Sequence, residues 1–205
     1  MYLKINNSIC LLLLIVSFGC KQYHVTDEVK RWQPYKKGDL IVFQSSKGEL
    51  DSIFIKGVES SFLADDNLSI SPDKHENITV TGEIILDEPI INSLGQIIKG
   101  EEISVLNIYA DERTYFNFEY NKPSDSLNYP STSLSFEDLK SLFNNKTINN
   151  DVVIDAVHQY DSPIIYDLKR IWWNKKFGYT KFEFNNGYSL SLIKFVRDKE
   201  DIFRQ

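Results

Sequence analysis

Few residues in this chain combine the type and the spacing that chemistry requires. Its three histidines are His24, His75 and His158, and its two cysteines are Cys10 and Cys20. His75 stands in Pro72-Asp73-Lys74-His75-Glu76-Asn77, where Asp73, His75 and Glu76 offer donors that metals accept. The stretch is polar throughout and reads as a solvated loop. His158 has Asp155 and Asp161 close in sequence, but an extended chain turns Asp155 and His158 to opposite faces, which separates the acid from the base. Asp65-Asp66-Asn67 carries oxygen ligands suited to a hard cation, with no second oxygen cluster to complete the shell, and reads as an exposed turn. Gly-x-Ser-x-Gly, phosphate-loop, His-Glu-x-x-His and calcium-loop patterns are absent from the sequence. The expectation is a non-enzymatic protein with no catalytic residue, no metal and no cofactor.

Trp172-Trp173 is the most informative pair. Adjacent residues of a strand face opposite sides, so one ring enters the core and the other lies on the reverse face. There it is covered by a helix or holds a ligand or partner, for which tryptophan is favoured. Trp172 and Trp173 are therefore the candidate binding residues.

The elements that must position them are mostly strands. Aromatic residues make up 13% of the chain, with Tyr and Phe dominant, a mixture that favours β structure. Strand signals recur at residues 40–44, 50–58, 78–86, 103–109, 114–120, 152–157, 170–173, 177–184 and 188–195. Ile78, Val80, Ile84 and Leu86 alternate with polar residues in a period of two, and Gly82 within that run marks a bulge or bend. One short helix is expected after Ser135-Phe136-Glu137-Asp138, a capping-box spacing with Asp in the Glu position. Its stripe is Leu139, Leu142 and Phe143, and Asn144-Asn145 ends it.

The last hairpin constrains its own register. A two-residue Asn186-Gly187 turn would set Phe184 and Phe182 against serines. A three-residue loop, Asn185-Asn186-Gly187, sets Phe184 against Tyr188, Phe182 against Leu190 and Tyr179 against Ile193. Register follows the hydrophobic pattern, so the longer loop is predicted, with Gly187 left-handed as a bulge. Many antiparallel strands and one short helix give an all-β fold: a single antiparallel curled sheet, barrel or half-barrel, that hides its edges.

The N-terminus carries an address. Lys4 precedes an apolar run over residues 9–18, Ile-Cys-Leu-Leu-Leu-Leu-Ile-Val-Ser-Phe, then Gly19, Cys20 and polar Lys21. About ten apolar residues suit a signal-peptide core and fall short of the roughly 20 that span a bilayer. Ser17-Phe18-Gly19-Cys20 resembles the lipobox of bacterial lipoproteins, although Ser17 and Phe18 depart from the commoner residues there. That resemblance implies cleavage before Cys20, a diacylglycerol on its sulfur and a third acyl chain on its amine. Two chains already anchor stably. Cys10 leaves with the signal, so the mature domain keeps no free thiol. The expected organisation is a signal peptide at 1–19, the lipidated cysteine and a polar tether at 20–33, and a β domain at 34–205. A tether over residues 21–33 reaches roughly 45 Å when extended.

Beyond the lipobox, Trp32-Gln33-Pro34-Tyr35-Lys36-Lys37-Gly38-Asp39 before Leu40-Ile41-Val42-Phe43, and the ending Ile171-Trp172-Trp173-Asn174-Lys175-Lys176-Phe177-Gly178-Tyr179-Thr180-Lys181-Phe182, resemble the uncharacterised small lipoproteins of the Bacteroidota. The ending is also faintly similar to half-barrel lipoprotein carriers, which hold acyl chains in an open β cup. The resemblance implies a cell-envelope protein. Lys21 stands where an aspartate retains some lipoproteins at the inner membrane, and acidic residues are absent until Asp27-Glu28. The outer membrane and its periplasmic side are therefore expected.

With a formal net charge of −6 and no basic run, nucleic acid is not an expected partner. The first expectation is binding to an envelope protein or a structural role. The second is carriage of a lipid or small apolar ligand, and the third a hydrolase. A deep apolar cavity favours the carrier. A filled core with an exposed Trp favours partner binding. A cleft joining a carboxylate to His158 favours the enzyme.

Overall fold

The computed structural model describes residues 21–64, 72–91, 97–119, 131–145, 147–156 and 168–204, with side chains at all of these except 86–91, 97–99 and 131. Its strands are β1 (Gln22–Tyr23), β2 (Leu40–Ser45), β3 (Leu50–Ala64), β4 (Lys74–Ile91), β5 (Ile97–Ala110), β6 (Thr114–Glu119), β7 (Ser131–Ser135), β8 (Thr147–Ile148), β9 (Asp151–Asp155), β10 (Leu168–Asn174), β11 (Gly178–Phe184), β12 (Ser189–Arg197) and β13 (Glu200–Asp201). The helices are α1 (Asp27–Lys30) and α2 (Phe136–Asn145).

Together the strands form one curled sheet, a half-barrel, in the order β7-β6-β5-β4-β3-β2-β12-β11-β10-β9-β8. All pairings along this path are antiparallel. The two-residue β1 is the exception and pairs parallel with β4. The expected all-β curled sheet is thus the observed one, with a second, single-turn helix added.

Bulges do the curling. Lys56 is unpaired where β3 meets β4, and Val105 where β5 meets β4, so both neighbours of β4 carry an extra residue next to Thr81, on its Gly82 side in β3 and on its Val80 side in β5. An extra residue bends its strand and raises the local twist. At Gly82 a Cβ would come within 2.8 Å of Ile53 and 2.9 Å of Val105. The glycine expected at a bend therefore lies where two bulged strands crowd the concave face.

That concave face is the core. Phe43, Phe116, Phe118, Trp173, Phe182 and Phe195 are all fully buried, each worth about 1.5–3 kcal/mol of burial. Edge-to-face contacts join Trp173 to Phe118 at 5.0 Å and Phe43 to Phe182 at 5.5 Å.

The helix α2 follows β7 and precedes β8, the two ends of the sheet, and it touches β6, β7, β8 and β9. It thus spans the gap between the edges, burying Phe136 and Leu139, one way to protect an open sheet. Its cap is a variant box. Ser135 Oγ accepts from the Asp138 N–H at 3.1 Å, and the same hydroxyl donates to Asp138 Oδ2 at 2.6 Å. Asp is a methylene shorter than Glu, and its carboxylate meets the hydroxyl.

The final hairpin has the three-residue loop. Phe182 pairs with Leu190 and Lys181 with Ser191. Phe184 donates to Tyr188 O at 3.0 Å, and Gly187 has φ +82. The Tyr179–Ile193 pair lies beyond this ladder, which spans residues 181–183 of β11.

Residues 21–33, expected as a polar tether, fold back onto the domain. Val25, Val29 and Trp32 are buried. Thr26 caps α1 by accepting from Val29 N–H at 3.3 Å, and Trp32 packs edge-on against Phe136 and Phe143 of α2, both at 5.3 Å. Three apolar side chains are enough to hold a short segment when the concave face offers them a seat. No helix among the described residues is long and apolar enough to cross a membrane.

Candidate functional site

The strand β10 positions the tryptophan pair. Trp173 faces the concave side and is fully buried, with Tyr179 at 5.0 Å and Tyr35 at 6.0 Å, both edge-to-face. Trp172 points to the convex side, half-buried, between its cross-strand neighbours Val153 and Lys181. Lys181 Nζ lies 5.2 Å from its ring centroid and is bonded to Glu183 at 2.6 Å. The helix α2 packs on Trp173's side, beside Phe116, and leaves Trp172 uncovered by it. Of the two candidates, Trp173 is a packing residue and Trp172 is the one at the surface.

Behind Trp173 runs a hydrogen-bonded pair of tyrosines that sequence reasoning missed. Tyr35 Oη accepts from the Tyr179 N–H at 2.8 Å. Tyr179 Oη donates to Val105 O at 2.7 Å and accepts from Glu119 N–H at 2.9 Å. Burial raises both phenols well above the ordinary tyrosine range, so they act as fixed neutral donors and acceptors. Gly178 makes this possible: its φ is +72, and a Cβ there would collide with the Tyr35 hydroxyl. The partners stand 144 residues apart, which no local signal reveals.

A second cluster holds the N-terminal segment. Lys21 N–H donates to Asp73 Oδ1 at 2.9 Å, and Lys21 O accepts from Lys74 N–H at 2.9 Å. Glu76, buried on the concave side, accepts from Val25 N–H, Lys30 Nζ and Ser60 Oγ, each at 2.9 Å. Burial pushes its carboxyl up, but the bonds from Lys30, Ser60 and Val25 together outweigh that and hold it below the usual glutamate range. His24 Nδ1 stands 3.4 Å from the same carboxylate.

His75 is not in a solvated loop. Pairing with β3 and β1 extends β4 back to Lys74. The imidazole is buried between Tyr23 at 4.8 Å and Tyr109 at 5.3 Å, with Nδ1 3.0 Å from Ala110 O. Asp73 and Glu76 are engaged elsewhere, so the three donors do not converge. Among the described residues no group of three His, Cys, Asp or Glu side chains could hold a metal. Asp155 pairs with Arg170 at 2.8 Å. Cys10, Cys20, Asp65-Asp66-Asn67, His158 and Asp161 lie outside the described residues.

Elsewhere, Asp39 is almost fully buried and takes both prongs of Arg197, Nε at 2.9 Å and Nη2 at 2.6 Å. Arg197 also donates to Pro34 O at 2.6 Å. This fork ties the chain before β2 to the end of β12. It is a structural clamp of the kind bidentate Arg favours.

One cavity of about 250 Å³ opens on the concave side between the N-terminal segment and β3, lined by Lys30, Gln33, Val58, Glu59, Ser60 and Ile78. Gln33 Nε2 is itself buried, without a hydrogen-bond partner. Against this geometry stands no relative: no family model, curated protein or solved structure matches the chain.

Proposed function

We propose that the protein is a lipid-anchored protein of the cell envelope that works by binding a protein partner rather than by catalysis. The anchor reading rests on the apolar run that ends at Gly19-Cys20. Its place is the outer membrane, on the periplasmic side, following the residues behind the cysteine. The observation that carries the binding reading is the packing of aromatic side chains over the concave face among the described residues. Trp173, Phe116, Phe118 and Phe182 occupy the space that an acyl chain would need in an open cup. Among the described residues, the cavity beside β3, of about 250 Å³, falls below the roughly 300–1,000 Å³ of pockets that enclose a small ligand. The described histidines also have structural neighbours: His24 lies beside Glu76, and His75 lies between tyrosines.

Two measurements test this reading. Native mass spectrometry of the purified lipidated protein should show no stoichiometric apolar ligand besides the acyl chains on Cys20, and a bound lipid would favour the carrier. Crosslinking in native membranes should recover a defined partner that Trp172→Ala loses. Its melting should change little, because that ring is on the convex face. Trp173→Ala should instead cost about 3–5 kcal/mol, the range for deleting a buried aromatic. A partner retained by Trp172→Ala would remove that residue from the interface.

A further inference from the structure

Strand β3 outruns its neighbour. β2 pairs with it over residues 50–54, and the Gly38-Asp39 backbone covers Ile55, with Gly38 N–H to Ile55 O at 2.9 Å and Ile55 N–H to Asp39 O at 2.8 Å. Residues 57–64 then pair with β4 on one side. Among the described residues, no backbone group bonds their other side. The stretch is exposed, with Val58 39%, Phe62 43% and Leu63 48% accessible, and it carries a single charge, Glu59. The usual defences of a free edge are lysines, proline or a covering element; neither lysine nor proline occurs in residues 57–64.

Strand alternation fixes the direction of the free groups. Ile55 turns its N–H and C=O away from β4, toward residues 38 and 39. Along β4, successive residues alternate sides, so Gly82, opposite Ile55, faces away from β3 and Thr81 faces toward it. Past the bulge at Lys56, Gly57 pairs with Thr81 and Val58 with Val80. Val58, Ser60 and Phe62 therefore point their backbone N–H and C=O at the open side. Their side chains share the concave face with Val80, Ile78 and Glu76. Val58 and Ser60 also line the cavity of about 250 Å³.

We propose that residues 57–64 are a β-augmentation site: an extended segment of a partner protein adds as a strand beside β3 and sets one apolar side chain into the cavity. Directly opposed residues in paired strands share a face, so the incoming residue opposite Val58 or Ser60 points where the cavity lies. Main-chain bonds supply affinity and the pocket supplies selectivity. Val58 and Ile78 form the apolar lining. Gln33 and Lys30 of the N-terminal segment line the cavity's opposite wall. This deepens the partner-binding reading and rests on it.

The test uses the full-length protein in detergent and a pool of capped heptapeptides, Lys-X-Thr-X-Thr-X-Lys with X as Val, Leu, Ile or Phe. The readout is amide exchange at Val58, Ser60 and Phe62. The pool should slow exchange there at least tenfold, and the same pool N-methylated at the X amides should not. Val58→Phe, which fills the cavity, and Phe62→Pro, which removes an outward N–H, should each abolish the protection while melting is retained. The N-methylated control reads the same bonds without any substitution. No protection at these amides overturns the proposal. Protection without peptide that grows with protein concentration also overturns it and identifies a second copy as the occupant. Crosslinking to a partner from Lys181 but not from Ser61 in native membranes overturns the edge site and leaves partner binding standing. Crosslinks from neither position count against both.

Discussion

At the residue scale, two glycines share a left-handed backbone and differ in their surroundings. Gly187 has φ +82 and open space where a methyl group would go, whereas at Gly178, φ +72, that methyl would strike Tyr35. Gly187→Ala should therefore lose only backbone strain, about 1 kcal/mol. Gly178→Ala adds a clash that displaces Tyr35 from the Tyr179 N–H, and should lose roughly 3 kcal/mol or more. Denaturant titration of the two variants checks the ratio, and equal losses would mean that the tyrosine pair adds nothing. Legibility divides in the same way. Gly187 was readable because its role is local and the serine and aromatic positions fixed the register. Gly178 falls inside the strand signal over residues 177–184 with nothing local to single it out, since its constraint comes from a ring far away in the chain.

At the element scale, the N-terminal segment is the instructive case. Val25, Val29 and Trp32 follow one another at spacings of four and three, a helical stripe too short to stand out from a polar stretch. The fold seats it through Glu76, whose folded pKa is lowered. A carboxylate with a lowered folded pKa stabilises fully above its unfolded value, roughly 4.3. That contribution is lost as pH falls through the folded value. Acidification below about pH 4 should therefore release residues 21–33 before the sheet unfolds, detectable as faster amide exchange in that segment and a change in Trp32 fluorescence. Glu76→Gln should remove the acid-dependent step. A step unchanged by that substitution would place the acid sensitivity elsewhere. His75 illustrates the opposite failure of local reading: its neighbours are polar, but long-range pairing with β3 and β1 makes the stretch a strand.

At the scale of the whole molecule, the fold class was legible because alternation, turn residues and one capping box agreed with one another. The half-barrel was not separable from a barrel in sequence, because its open form depends on where bulges fall and on α2 crossing between β7 and β8. The docked segment bears on the anchor proposed at Cys20. Lys21 is bonded through its N–H and C=O to Asp73 and Lys74, so residues 21–33 are held at the sheet where a free tether of tens of ångströms was expected. The proposed location depends on that cysteine. In cells fed labelled palmitate, the wild-type protein should incorporate label and fractionate with membranes, and Cys20→Ala should do neither. A Cys20→Ala protein that still takes up label and still sediments with membranes would contradict it.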